Sequence, residues 1–313
     1  MELIRGWHNL RPRHRGCALA IGNFDGVHRG HQAVLEQLAR VARDRELPAT
    51  LMLFEPQPRE FLTPERAPPR LTRLREKLEA LRSTPLERVL CLRFDRHLAA
   101  LTPERFIERL LVEQLGVRVV VVGDDFRFGH EGRGDVALLR AAGRRHGFEV
   151  RRCARFELDR RRVSSSWVRE ALAAGRLDQA TQLLGRPYRL CGRIARGDRI
   201  GRTLGFPTAN LPLQRRHSPL SGVFAVRMTG IATEPWPGVA NIGRRPTVDG
   251  TELRLEVHLF DFDDDLYGRH VSVEFTRRIR DERPFRSLDE LRAQIDRDAA
   301  DARAWFGLPE VGA

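Results

Sequence analysis

Lysine is all but missing from this chain. Lys77 is the only one, and every other member of its 55 Lys and Arg residues is an arginine. Against 42 Asp and Glu residues this leaves a formal net charge of +13, a balance that favours anionic partners. Nucleic acid is one such class; nucleotides and phosphorylated cofactors are another. The arginine clusters at Arg11–Arg15, Arg144–Arg145 and Arg160–Arg162 are short and read as solvated faces. Zinc-finger spacing and aromatic-interleaved RNA-binding motifs are absent, so no nucleic-acid partner is expected. Cysteine is scarce too. Cys17, Cys91, Cys153 and Cys191 lie far apart, which argues against a disulfide or metal framework and for buried, reduced thiols. The N-terminus lacks an apolar signal region, and apolar runs such as Val119–Val122 are far too short to span a bilayer. A soluble cytoplasmic protein without membrane contact is expected. No Gly-Lys-Ser/Thr triplet occurs, which excludes a Walker-type phosphate loop.

The chain does carry two organising stretches. In the first, the apolar run Cys17–Ile21 leads into Gly22-Asn23-Phe24-Asp25-Gly26-Val27-His28-Arg29-Gly30-His31, and an amphipathic stretch, Gln32–Arg43, leads out. This pattern reads as strand, tight loop, helix. Gly22, Gly26 and Gly30 let backbone N–H groups approach a ligand, and the helix turns its positive end to the same place. His28 and His31, three apart, face one way on a first helical turn. Such imidazoles suit a phosphate that gains charge in a transition state.

Strand-like and helix-like patterns then alternate to about Leu184. The expected strands are Ala49–Phe54, Arg88–Leu92, Val117–Val122 and Phe148–Cys153. The expected helices are Leu71–Leu81, Pro103–Leu115 and Asp135–His146, with Thr102-Pro103 as a start and Gly116 as a stop. Such alternation predicts a doubly wound parallel sheet with ligands beyond the carboxyl ends of its strands. Two strands run into polar and aromatic loops, Phe54-Glu55-Pro56-Gln57-Pro58 and Gly123-Asp124-Asp125-Phe126-Arg127-Phe128. Ser164-Ser165-Ser166-Trp167-Val168-Arg169 opens a further helix, where the serines are either a plain N-cap or, with Arg169, an anion site.

Gly185-Arg186-Pro187 breaks the alternation, which predicts domains at 1–185 and 186–313. Beyond it, short β-rich runs at near-regular spacing predict an antiparallel barrel closed by a helix, Leu288–Trp305. Here lies the second stretch. Gly197, Gly201 and Gly205 supply an N–H-rich loop, and Thr208 and Asn210, two apart in an extended segment, offer oxygen ligands of the kind Mg²⁺ takes. In Leu255–Phe262, alternation puts Glu256, His258 and Phe260 on one face. A carboxylate there is either solvated or, beside a γ-phosphate, a base for a hydroxyl nucleophile.

The string from Gly22 to His31 resembles the His-x-Gly-His signature of nucleotidylyltransferases, in the form found in the FMN adenylyltransferase half of prokaryotic bifunctional FAD synthetases. That family has Ser-Ser-Thr-x-Ile-Arg where this chain has Ser164–Arg169, with Ser166 for the threonine and Val168 for the isoleucine. Gly201–Leu211 is similar to the signature of riboflavin kinases. Gly238–Gly243, Glu256–Phe262, Leu266–Gly268 and Phe285–Leu288 continue it in order, with Arg244 where threonine is frequent. The resemblance spans about residues 15 to 306. It implies a nucleotidylyltransferase domain followed by a riboflavin kinase barrel: riboflavin is phosphorylated to FMN, and FMN is adenylylated to FAD with release of pyrophosphate. By the same resemblance His28, His31 and Arg169, with Gly22, Asn23, Gly30, Ser165 and Ser166, serve ATP in the first domain. Phe54, Pro56, Pro58, Asp125, Phe126 and Phe128 serve the flavin. In the second domain, Gly197, Gly201 and Gly205 wrap phosphates, Thr208 and Asn210 hold Mg²⁺, and Glu256 is the base. Two other outcomes stay open on sequence grounds: a chain that keeps one of the two activities, and a nucleic-acid binder reusing the fold. The resemblance leaves oligomeric state open.

Overall fold

The computed structural model describes residues 1–196, 205–247 and 250–309. The chain forms two compact units, one of Met1–Pro68 with Arg73–Ser164 and the other of Pro69–Thr72 with Ser165–Ala313.

The first unit contains a six-stranded, wholly parallel sheet. Its strands are β1 (Glu2–Arg5), β2 (Ala18–Ile21), β3 (Ala49–Glu55), β4 (Arg88–Arg93), β5 (Val119–Val122) and β6 (Glu149–Arg152), in the order β1-β4-β3-β2-β5-β6. Burial on both faces explains why these strands are apolar runs rather than alternating ones. Leu19, Met52, Leu90 and Val120 pack on one face with Phe106, Leu110 and Leu139. Ala18, Leu51, Val89 and Val121 pack on the other with Leu35, Leu38 and Leu81. The helices of this unit are α1 (Arg29–Asp44), α2 (Pro58–Leu62), α3 (Leu74–Leu81), α4 (Arg96–Ala99), α5 (Pro103–Phe106) and α6 (Val136–His146). The strand order reverses at β2, whose neighbours are β3 and β5. Doubly wound sheets bind ligands at such a switch point. All four cysteines are buried free thiols, and burial pushes the Cys17 thiol up to about 11.

Three features of this unit depart from the sequence pattern. Strand β1 is an edge strand of four residues, too short to leave a period. The expected helix over Pro103–Leu115 is α-helical only to Phe106 and continues as a π-helix, Ile107–Gln114, because an apolar stripe does not distinguish the two windings. A small ribbon, β7 (Glu157–Leu158) and β8 (Arg161–Arg162), turns through Asp159 and Arg160 at positive φ.

The second unit opens with α7 (Ser165–Ala173) and α8 (Leu177–Leu184), which pack on each other. Helix α8 ends on Gly185 in the left-handed conformation, where the sequence places its break. An antiparallel sheet follows: β9 (Arg189–Arg193), β10 (Ala209–Pro212), β11 (Gly222–Thr229), β12 (Trp236–Thr247), β13 (Gly250–Leu259) and β14 (His270–Arg280), ordered β10-β13-β12-β11-β14-β9. A bridge from Ala195 to Asn210 joins the two ends into a nearly closed barrel. The closing helix α9 (Leu288–Trp305) is capped by Ser287, whose hydroxyl accepts from the Glu290 N–H. Asp298 on α9 is 3% exposed and takes a bidentate fork from Arg280 on β14 (2.9 and 2.7 Å), which fixes the helix against the barrel.

Candidate functional site

In the first unit the loops after β3, β2 and β5 leave the carboxyl ends of three adjacent strands. The loop after β2 is held in an unusual backbone. Phe24 and Val27 adopt φ of 47° and 44°, in a region that bulky or β-branched residues rarely enter, with Gly26 at 84° between them. Helix α1 begins at Arg29, so His28 is its N-cap rather than a member of its first turn. The His28 Nδ1 accepts from the His31 N–H at 3.3 Å, which leaves Nε2 to carry the proton of the neutral ring. The two imidazoles stack at 3.6 Å between centroids and 18° between planes, with Phe24 against His31 at 4.6 Å. Gly30 leaves little room for a side chain: a Cβ there would meet the Val163 carbonyl at 3.0 Å and the His28 ring at 3.1 Å, and one of them would have to give way.

The loop after β5 is organised by charge. Arg162 donates a two-pronged fork to Asp125 (2.8 and 3.0 Å) and holds its carboxyl below the usual range. Asp124 is paired with Arg152 and Arg155. An Asp125 neutralised in this way does not repel an anionic ligand. Phe128 is 7% exposed, packs on Phe106 and belongs to the core, while the half-buried Phe126 stacks on it at 5.4 Å. Phe54, at the end of β3, meets Phe94 edge-on.

In the second unit, Ser165, Ser166 and Arg169 lie on the first turns of α7. The Arg169 Nε donates to the Pro69 carbonyl at 2.6 Å.

On the barrel, register brings together residues far apart in sequence. Asn210 on β10 and Asn241 on β12 both oppose Glu256 on β13, so the three form a polar row across neighbouring strands. Leu255, Val257 and Leu259 point into the core, as the alternation predicts. Two cavities flank the row. One, of about 190 Å³, is lined by Glu256, His258 and Asn241 together with Phe206, Val223, Phe285, Leu291 and Ile295. The other, of about 420 Å³, is lined by Asn210, Asp263, Asp264, Asp265 and Tyr267. Thr208 borders both. The Asn210 Nδ2 donates back to the Thr208 carbonyl, which turns the amide oxygen into the face on offer. Gly205 stands at a φ of 91°, and Gly197 and Gly201 lie outside the described residues.

Sequence reasoning missed the wall that β14 and α9 give the smaller cavity. Glu282 there reaches Asn241, and burial raises its carboxyl against that hydrogen bond and the charge of Arg280. The available signal was Asp298, an acid on the buried stripe of an amphipathic helix, which demands a cationic partner.

His258 donates Nδ1–H to the Pro207 carbonyl at 2.9 Å, and burial lowers its pKa despite that bond. A folded pKa below the unfolded value of about 6.5 means that protonation favours the unfolded chain. The stability His258 contributes is therefore complete above that pH and is lost as pH falls through the folded pKa. The thermal midpoint should drop between pH 7 and 5, and His258→Gln should flatten the drop; equal slopes for both proteins would refute the linkage.

A FAD synthetase family model matches residues 10–167, and a riboflavin kinase family model matches residues 184–306. Relatives described as bifunctional riboflavin kinase/FMN adenylyltransferase align over nearly their full length. That of Escherichia coli K12 is 54% identical over 98% of this chain and 99% of its own. Those of Pseudomonas fluorescens and Haemophilus influenzae are 51% and 48% identical, over 97% and 98% of this chain and 97% and 99% of theirs. A crystal structure described as a macrolide-efflux protein from Streptococcus pneumoniae shares 30% identity at a TM-score of 0.80, over 97% of this chain and 100% of that one. Among the described residues no helix is long and apolar enough to cross a membrane. Two family models in tandem, and full-length relatives with both in one chain, show that this chain belongs to the bifunctional riboflavin kinase/FMN adenylyltransferase family.

Proposed function

We propose that the two reactions of this family are divided between the two loop constellations, adenylylation in residues 1–185 and phosphorylation in 186–313. The chain converts riboflavin and ATP to FMN and ADP, and FMN and ATP to FAD and pyrophosphate. The observation that carries the residue assignment is the row Asn210–Glu256–Asn241, with Thr208 bordering a cavity on either side.

In the kinase half the smaller, aromatic-walled cavity receives the flavin ring, and the larger one receives ATP. The ribityl 5′-hydroxyl then lies at Glu256. Its oxygen bonds to the γ-phosphorus, the bond to the ADP oxygen breaks, and the proton passes to the Glu256 carboxylate. The donor set fits Mg²⁺: the Thr208 hydroxyl and the Asn210 amide oxygen are hard ligands, few in number, beside a cavity sized for phosphates and water. Bound there, Mg²⁺ would neutralise phosphate charge. Gly197, Gly201 and Gly205 take the phosphate-wrapping role that the resemblance gives them.

In the adenylylation half the nucleophile is a phosphate oxygen of FMN, already anionic, so no general base is needed. The new bond forms at the α-phosphorus and pyrophosphate leaves. His28, His31 and the N-terminus of α1 supply hydrogen bonds and positive potential where charge accumulates, with the N–H groups of Asn23 and Gly30; the Gly22 N–H donates to the Met52 carbonyl at 3.1 Å, so Gly22 lends close backbone approach and not a donor. Arg169, Ser165 and Ser166 take the triphosphate. Phe54, Pro56, Pro58, Asp125 and Phe126 hold the flavin, and Phe128 supports Phe126 from the core. The pathway operates in the cytoplasm on small molecules.

A chromatographic time course with riboflavin, ATP and Mg²⁺ tests this reading. FMN should rise first and FAD should follow. FMN accumulating without FAD would refute the first half, and no flavin product would refute both.

A further inference from the structure

The one lysine of this chain is among the largest fully buried side chains of the described residues, 1% exposed on α3. Its Nζ donates to the backbone carbonyl of Asn23 at 2.6 Å. Taking a cation out of water carries a desolvation penalty that only a well-placed partner offsets. Where every other Lys-or-Arg position of the chain is arginine, its one lysine stands behind the loop that carries His28 and His31. Arginine brings a wide planar fork; lysine brings a compact point charge that fits under a single carbonyl.

The bond lands where the loop is most strained. Asn23 directly precedes Phe24, one of two bulky residues held at positive φ. Such conformations are unfavourable for bulky residues and persist only where the surroundings impose them. We propose that Lys77 is a positioning residue for adenylyl transfer. Its ammonium clamps the Asn23 carbonyl inward and so holds the N–H groups of the loop, and the stacked histidines at its end, in the arrangement that receives the α-phosphate. Lys77 touches no substrate. Its positive charge also lies behind a loop that must accept a polyanion, which makes the potential the ligand meets there more positive. This rests on the reading of Gly22–His31 as the adenylylation loop.

Lys77→Met, Lys77→Arg and His28→Asn in the full chain test it, with riboflavin phosphorylation by the same protein as internal control. Both Lys77 variants should lose about 100-fold in kcat for FAD formation, the effect expected from misplacing reacting groups by an ångström. The KM for FMN and the kinase rate should stay near wild type. Amide exchange should quicken over Gly22–His31 while β2, β3 and β5 stay protected. Full activity in either variant would overturn the proposal; for Lys77→Arg it would mean that charge alone suffices. Uniform loss of protection across the first unit in both would make Lys77 a folding residue and overturn it as well. If His28→Asn leaves FAD formation intact, the loop itself has been misread. If His28→Asn abolishes it while the Lys77 variants do not, only the present inference fails.

Discussion

Glu256→Gln should cut the rate of FMN formation from riboflavin by roughly 10²–10⁴-fold while leaving FAD formation from supplied FMN untouched. The substitution keeps size and hydrogen-bonding capacity and removes basicity alone. Its cost, about 3–5 kcal/mol at 1.36 kcal/mol per tenfold, is that of a proton with nowhere to go. A primary hydroxyl is almost wholly protonated at neutral pH, like water with its pKa near 16. It therefore cannot attack without losing its proton during the step. Glu256 is the carboxylate in the polar row, and the two flanking residues that oppose it, Asn210 and Asn241, are amides without basicity at neutral pH. The KM for riboflavin should change little, because Phe206, Val223, Phe285, Leu291 and Ile295 still line the cavity proposed for the ring. Separate initial-rate assays for FMN and FAD decide the matter. A kinase rate within a few-fold of wild type would show that Glu256 is a solvated wall residue.

The two reactions thus differ in what they ask of the protein. One has a neutral nucleophile and needs a base; the other has an anionic nucleophile and needs positive potential. On the proposed assignment, the fold answers each demand with a different device. Barrel register brings the carboxylate to the cavity, while a strand-to-helix turn at the switch point of a parallel sheet gathers dipoles and imidazoles.

Much of this was legible because both devices leave local signals. The His-x-Gly-His loop is contiguous, as are its strand and helix, so sequence alone placed β2 and α1 to within a few residues. Alternation in Leu255–Phe262 named the face of Glu256 correctly. What escaped was non-local. That Asn241 stands opposite Glu256 is a matter of register between β12 and β13, which no periodicity reports. The wall of the smaller barrel cavity from β14 and α9 depends on the Arg280–Asp298 pair, formed by residues 18 apart. The left-handed Phe24 and Val27 were invisible for another reason. Their conformation runs against their own preferences, imposed by surroundings that include a lysine 54 residues away from Asn23.

Replacing His28 or His31 by asparagine should cost FAD formation about 10²–10³-fold each, the range for removing a preorganised donor to a charged transition state. Riboflavin phosphorylation should stay at the wild-type rate. Asparagine is the informative choice at 28. The His28 Nδ1 caps α1 through the His31 N–H, and an asparagine oxygen is an equally good cap, whereas alanine would add about 1 kcal/mol of helix destabilisation to the kinetic effect. A loss that survives this control belongs to the imidazole Nε2–H and to the charge the ring can carry. The double variant should fall well short of the product of the two singles. Rings stacked at 3.6 Å share one environment, and each contributes fully only when the other orients it. Product-resolved rates for the two single variants, the double variant and wild type close that cycle. Strictly multiplicative losses would mean that the histidines act on the phosphates independently, and FAD formation within threefold of wild type in the double variant would remove this loop from the chemistry altogether.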